Sequence, residues 1–158
     1  MGLLPGLTAI AAGIGLCGAA TAATPAQNKA IVARTFDAWA AGTGSPFDLL
    51  SDDAVWTIEG NSIEAGTYAG KQIFIDKVIQ LFNARMSVGL KPTVRSITAE
   101  ENRVVILFDG RATARDGRPY TNSYAWFFQM KEGRVRRVNA FFDAVAFNEL
   151  WTRVAPGN

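Results

Sequence analysis

The chain has 158 residues, 16 basic and 14 acidic side chains and a formal net charge of +2. It is long enough to bury one continuous core without disulfides or metal, and its basic residues are spread along the chain, which argues against a nucleic-acid partner. Histidine is absent and Cys17 is the only cysteine, which excludes Ser-His-Asp and Cys-His catalysis and leaves no ligand set for zinc or haem.

No cofactor and no metal is therefore expected, and any chemistry must run on carboxylates, arginine, tyrosine and amides. Residues Met1 to Asn28 carry no charged side chain, and the apolar run from Leu3 to Ala23 contains Ala20-Thr21-Ala22 near its end. That pattern reads as a secretory leader over residues 1–24 with an A-x-A cleavage site, followed by one domain over 25–158. A periplasmic or secreted protein without stable membrane association is the expectation. The missing Lys or Arg before the apolar run keeps two alternatives open: a later start and a cytoplasmic protein, or an uncleaved anchor. Cleavage after Ala22 removes Cys17 and leaves a chain indifferent to an oxidising compartment.

Beyond the leader, Thr24 and Pro25 mark a helix start, and Ile31, Phe36, Trp39 and Ala40 recur at helical spacing up to Gly42. A loop through Gly44 and Pro46 and a short turn at 47–50 lead to a first strand, Ala54 to Ile58. Its two faces, Trp56 with Ile58 or Val55 with Thr57, are not ranked by periodicity. Residues 59–70 read as loop. A second helix begins at Lys71, with Ile73, Phe74, Val78, Leu81 and Phe82 on one face, and closes before Gly89.

From Thr93 the period changes to two, giving strands near 93–99, 103–115, 120–131 and 134–143, the last pair joined by a Glu132-Gly133 turn. Helices followed by a run of antiparallel strands predict an α+β fold, with helices packed on one face of a curved sheet and a pocket between the layers. Val145, Phe147, Leu150 and Trp151 suggest a short terminal helix at the mouth. Arg134, Arg136 and Arg137 read as a charged strand edge.

Four stretches carry a family resemblance: the opening helix with Trp39, Asp53-Ala54-Val55-Trp56, Tyr68-Ala69-Gly70-Lys71, and the closing hairpin from Gly117 to Asp143. Together they resemble the SnoaL-like branch of the nuclear-transport-factor-2-like superfamily, over about Gln27 to Val154. That superfamily includes ketosteroid isomerases, polyketide cyclases and limonene epoxide hydrolase. The resemblance implies a cone-shaped sheet around a central hydrophobic pocket, a homodimer, and a small hydrophobic molecule as partner.

Candidate site residues follow from strand faces and from the resemblance. Tyr120, Asn122, Tyr124, Trp126 and Phe128 share one face, which is expected to point inward. Most of those rings serve equally as core. Asn122 stands apart, because a buried amide needs partners, either a ligand or a neighbouring group. Trp39, Trp56, Tyr68, Phe74 and Phe82 complete the expected cavity wall. Comparison with limonene epoxide hydrolase puts its Arg-x-Asp pair at Leu107 and Asp109 and its second aspartate at Asp143. The arginine is absent there, but Arg111 lies on the same strand face as Asp109.

Asp109, Arg111 and Asp143 thus form a candidate acid/base set, with Tyr124 or Asn122 donating to an oxyanion. Alternative readings are an exposed Asp109–Arg111 pair and Asp143 as a helix cap before Ala144. The ketosteroid isomerase template fits less well: the positions corresponding to its acids fall near Thr57 and near Ala125 or Asn122, none of which is an acid. Histidine-dependent cyclase chemistry cannot be carried over. Three functions stay open: a cofactor-free isomerase, lyase or hydrolase acting on a terpenoid, steroid or polyketide; a non-catalytic binding protein for such molecules; and a dimeric assembly domain.

Overall fold

The structure is a computed structural model that describes residue 2 and residues 23–157, so the apolar run before Ala23, with Cys17 and the leader reading, lies outside the described residues. Helix α1 (Pro25–Ala41) starts at a capping box. The Thr24 hydroxyl accepts the Gln27 N–H at 3.2 Å, and the Gln27 side chain accepts the Thr24 N–H at 2.8 Å. The helix ends at Gly42, whose φ of 77° is the left-handed geometry that glycine adopts without strain. Val32 and Phe36 are fully buried on its inner face.

A 3-10 turn (Pro46–Leu49) leads to strand β1 (Leu50–Ile58). The face left open by periodicity is settled: Trp56 and Ile58 are buried, while Val55 and Thr57 are only half-buried. Strand β2 (Gly66–Ala69) occupies part of the stretch predicted as loop and pairs antiparallel with β1, placing Tyr68 opposite Trp56. Four residues are too few to display a period, so pairing with β1 decides the conformation.

The second helix runs without interruption through α2 (Lys71–Phe74), a π-helical turn (Ile75–Ile79) and α3 (Gln80–Asn83). In the turn, the Gln80 N–H bonds to the Ile75 carbonyl, one residue farther back than in an α-helix. Phe74, Val78 and Phe82 are buried, and Ile75 and Ile79 flank them half-buried. The predicted face is corrected at two positions, since Ile73 and Leu81 are 47% and 38% exposed. A stripe recurring every fourth residue is longer than the 3.6-residue period, and the wider turn keeps it aligned.

Four long strands follow: β3 (Met86–Glu100), starting earlier than the sequence suggests, β4 (Arg103–Ala114), β5 (Pro119–Lys131) and β6 (Arg134–Phe142). Helix α4 (Ala144–Arg153) closes the described chain. The sheet order is β2-β1-β6-β5-β4-β3. Register shifts in β3, between Met86 and Val88, Val88 and Lys91, and Val94 and Ser96, bend and twist it around the helices. Neighbouring strands are antiparallel except β1 and β6, which run parallel. Those two are distant in sequence, so no hairpin dictates their relative direction.

The arginine cluster is also corrected, because β6 lies inside the sheet between β1 and β5. Gln129 faces Arg137 and Met130 faces Val135, which leaves Arg136 as the extra residue of a bulge. Its guanidinium pairs with Asp53 at 2.6 Å, and Arg134 donates to the Asp48 carbonyl at 2.7 Å. These contacts tie β6 to the entrance of β1. At the far end of β5, Glu132 and Gly133 both take positive φ, as a tight hairpin with the strands' twist requires.

Two apolar clusters form the core. The larger joins α1, the second helix and the sheet around Phe36, Phe108 and Trp126, and the smaller gathers Phe82, Ala114, Tyr120, Phe147 and Leu150 under α4. Leu90 and Phe142 pack against both. No helix among the described residues is long and apolar enough to cross a membrane.

Candidate functional site

A cavity of about 520 Å³ opens along the seam between the two clusters, bounded by the end of α1, the second helix and the inner sheet face. Trp126 is the hub of its wall. Its ring meets Phe108 edge-on at 4.8 Å and Trp56 edge-on at 5.0 Å, and lies parallel to Trp39 at 6.1 Å. Phe74 stacks on Trp56 at 4.3 Å, so the aromatic wall continues onto the second helix. Leu90, Phe142 and Phe147 line the other side, where α4 approaches.

The lining is apolar apart from Ser45, Asn83, Tyr124 and the indole N–H groups, and among the described residues no Asp, Glu, Lys or Arg contributes to it. A charge carried into such a site finds no counter-charge and loses its hydration, a penalty of several kcal/mol in real proteins. The volume and the chemistry of the wall are those of a small-molecule pocket.

One polar network reaches this wall. Asn122, 6% exposed, donates from Nδ2 to the Tyr120 hydroxyl at 2.9 Å and to the Asp143 carbonyl at 2.9 Å, and its Oδ1 accepts the Asp143 N–H at 2.9 Å. The Tyr120 and Tyr124 hydroxyls lie 3.1 Å apart. The Tyr124 ring stacks flat on Phe108 at 4.8 Å and covers Gly110, where any Cβ would come within 2.9 Å of that ring and of Leu90. Gly110 is thus the residue that lets Tyr124 lie down against β4. Burial holds the Tyr124 phenol well above its ordinary pKa, with the Tyr120 hydroxyl adding to the shift. Burial raises Tyr120 as well, against the opposing hydrogen bond that its oxygen accepts from Asn122.

The sequence-predicted residues divide cleanly. Trp39, Trp56, Trp126 and Tyr124 line the cavity, as do Phe74 and Phe82. Asp109, Arg111 and Asp143 do not converge there. Phe108 and Gly110 turn inward, so strand alternation carries Asp109 and Arg111 to the outer face of the sheet. On that face Asp109 accepts from Ser123 Oγ at 2.7 Å and pairs with Arg95 at 3.6 Å, while Arg111 is exposed. Asp143 is exposed and caps α4, its carboxylate accepting the Val145 N–H at 2.8 Å. The helix-cap alternative is the one realised.

Asn122 is satisfied by its own chain and lies off the lining. Tyr68 also lies off it. Its hydroxyl donates to the Glu64 carbonyl at 2.9 Å and sits 3.1 Å from the Glu64 carboxylate, and burial together with that charge pushes its pKa up to about 12. Phe47 and Phe142 are wall residues that sequence reasoning did not single out, and Phe147, expected on the terminal helix at the mouth, joins them. Phe142 carried a signal, as the inward aromatic paired across the strands with Tyr124.

The fold has many solved counterparts. Bal32a, from a soil-derived mobile gene cassette, superposes with a TM-score of 0.65 at 23% identity, covering 80% of this chain and 98% of that one. TerC, co-crystallised with polyporic acid, gives 0.61 at 20% identity, covering 78% and 96%. A protein from Jannaschia sp. whose name assigns it to the SnoaL-like polyketide cyclases gives 0.61 at 20% identity, covering 84% and 96%. No curated protein matches the sequence. Residues 32–138 match the model of the SnoaL-like domain, and the chain belongs to that family.

Proposed function

We propose that the protein binds a small, uncharged, largely apolar and oxygenated molecule of the terpenoid, steroid or polyketide class in the cavity around Trp126, as a binding protein rather than through carboxylate chemistry. The observation that carries this reading is the wall itself: a cavity of about 520 Å³ with aromatic sides and, among the described residues, no acidic or basic side chain. General acid/base catalysis needs a titratable group within hydrogen-bond reach of the reacting atom. Asp109 and Arg111, on the outer face, and Asp143, engaged in its cap, offer none. The co-crystallisation of the fold neighbour TerC with polyporic acid supports the same use of the fold.

A second reading, cofactor-free isomerase-type or cyclase-type conversion of the same kind of molecule, draws on the Tyr124 hydroxyl. A buried phenol at the wall stabilises a developing oxyanion by hydrogen bonding, and the cyclase name of the Jannaschia neighbour points the same way.

The test is a titration of the full chain followed by tryptophan fluorescence, using progesterone, limonene oxide and a naphthoquinone as probes, with chromatography of each mixture over time. Saturable quenching with recovery of unchanged probe is expected. A product that accumulates with the wild type and not with Tyr124→Phe establishes the second reading instead. Absence of quenching by all three overturns both.

We also propose that two copies pair through the outer sheet face. The support is Phe127 and Phe141, 40% and 47% exposed, which form an edge-on pair at 5.7 Å on the side away from the cavity.

A further inference from the structure

The hydrogen-bond chain behind the cavity has a direction, and that direction decides what a ligand must offer. At its origin the backbone of Asp143 fixes the Asn122 amide. A backbone N–H only donates and a carbonyl only accepts, so Oδ1 must face the first and Nδ2 the second, each at 2.9 Å. The amide cannot be turned over without breaking both bonds. The second Nδ2 hydrogen then goes to the Tyr120 oxygen, also at 2.9 Å.

Tyr120 accepts that bond and retains one proton of its own. It is only 3% exposed, and the neighbouring acceptor is the Tyr124 hydroxyl at 3.1 Å. Were Tyr124 the donor, the Tyr120 proton would be left buried without a partner, a penalty the opposite direction avoids. The chain therefore runs from Asn122 to Tyr120 to Tyr124. The Tyr124 proton is its loose end, and Tyr124 is the one member of the three that lines the cavity. Burial keeps that phenol protonated far above neutral pH.

Building on the binding reading above, we infer that Tyr124 offers the cavity a directed hydrogen-bond donor, and that the ligand is an uncharged, mostly apolar molecule carrying an acceptor oxygen of the ketone, quinone or ester class, docked with that oxygen on Tyr124. A hydrocarbon of the same shape leaves the proton unanswered. A carboxylate accepts from the hydroxyl but, among the described residues, meets no cation on the wall.

Fluorenone, fluorene and fluorene carboxylate form a matched set for the test. In calorimetric titrations of the full chain, fluorenone is expected to bind about tenfold more tightly than fluorene, as one hydrogen bond allows, with the carboxylate weakest. The carbonyl stretch of bound fluorenone should fall below its value in hydrocarbon solvent. Tyr124→Phe should abolish both the preference for fluorenone over fluorene and the infrared shift. Tyr120→Phe removes the bond donated to Tyr124 together with the acceptor of one Asn122 Nδ2 hydrogen and leaves the Tyr124 hydroxyl in place, so a smaller shift and a reduced preference are expected. That variant keeps the question decidable if Tyr124→Phe does not fold.

Equal wild-type affinities for fluorenone and fluorene overturn the inference. So does a preference or infrared shift that persists in Tyr124→Phe, or a shift untouched by Tyr120→Phe. Failure of all three probes to bind overturns the binding reading, and the inference falls with it.

Discussion

Asn122 holds Asp143 by its backbone alone, with a pair of 2.9 Å hydrogen bonds between one side-chain amide and the N–H and C=O of that one residue. The carboxylate of Asp143 is left free to cap α4, and α4 in turn brings Phe147 to the cavity wall. Residues that the sequence suggests as chemistry thus serve as fasteners, and the first prediction follows from this. Asn122→Ala should cost about 2–4 kcal/mol, since it removes the two part-buried bonds to the Asp143 backbone and leaves the buried Tyr120 hydroxyl without its donor. Urea denaturation monitored by circular dichroism reads this directly.

Asp143→Asn should leave both stability and ligand affinity near wild type, because Asn caps a helix as well as Asp does. Asp143→Ala should cost about 1 kcal/mol and likewise spare binding. The same denaturation curves and a fluorenone titration check both variants. A tenfold loss of affinity in Asp143→Asn would return this carboxylate to the site.

Trp126 meets the rings of Trp39, Phe47, Trp56 and Tyr124 in the cavity wall, so its truncation should be severe. Trp126→Ala is expected to lose about 3–5 kcal/mol, the range for a large buried aromatic replaced by alanine. Trp126→Phe should lose less and retain binding, measurable from the same curves and from titration.

Alkaline pH should destabilise the protein through its tyrosines. Tyr68, raised to about 12, and Tyr124, held well above its ordinary value by burial, both sit above the unfolded value of about 10. A raised folded pKa contributes stability that is fully present below the unfolded value and is lost as pH rises through the folded one. The thermal midpoint should therefore hold up to about pH 10 and fall beyond it. Tyr68→Phe should flatten the part of that fall between about 10 and about 12, as thermal melts across the series would show.

Pairing through the outer sheet face predicts a dimer in sedimentation velocity. Replacing Phe127 or Phe141 by Arg should shift the sample to monomer without loss of fold, since both rings point away from the core. A wild-type monomer at tens of micromolar would rule this interface out.

Much of the fold was legible because its signals are local. The Thr24-to-Gln27 cap, the Gly42 stop, the Glu132-Gly133 turn and the alternation along β4 and β5 each depend on a few neighbouring residues. What escaped depends on distant partners. β2 exists because β1 is there to pair with it, the parallel β1–β6 contact joins strands with most of the chain between them, and the bulge at Arg136 is set by Asp53 and the register of β5. The site divided along the same line. Trp126 and Tyr124 follow from period-two alternation and line the cavity, whereas alternation left the face of Trp56 open and packing decided it. Asp109 and Arg111 were offered on resemblance, against the phase of their own strand, and that phase won. Asp143 follows β6 directly, where the strand's alternation gives way to a cap, so a strand-face argument could not place it.

A crystal structure of the full chain grown with fluorenone is the decisive measurement of the donor role of Tyr124. The ligand is expected within the cavity, its rings against Trp126 and its oxygen within hydrogen-bond distance of the Tyr124 hydroxyl. Fluorenone bound elsewhere while that cavity stays empty or closes up would contradict it.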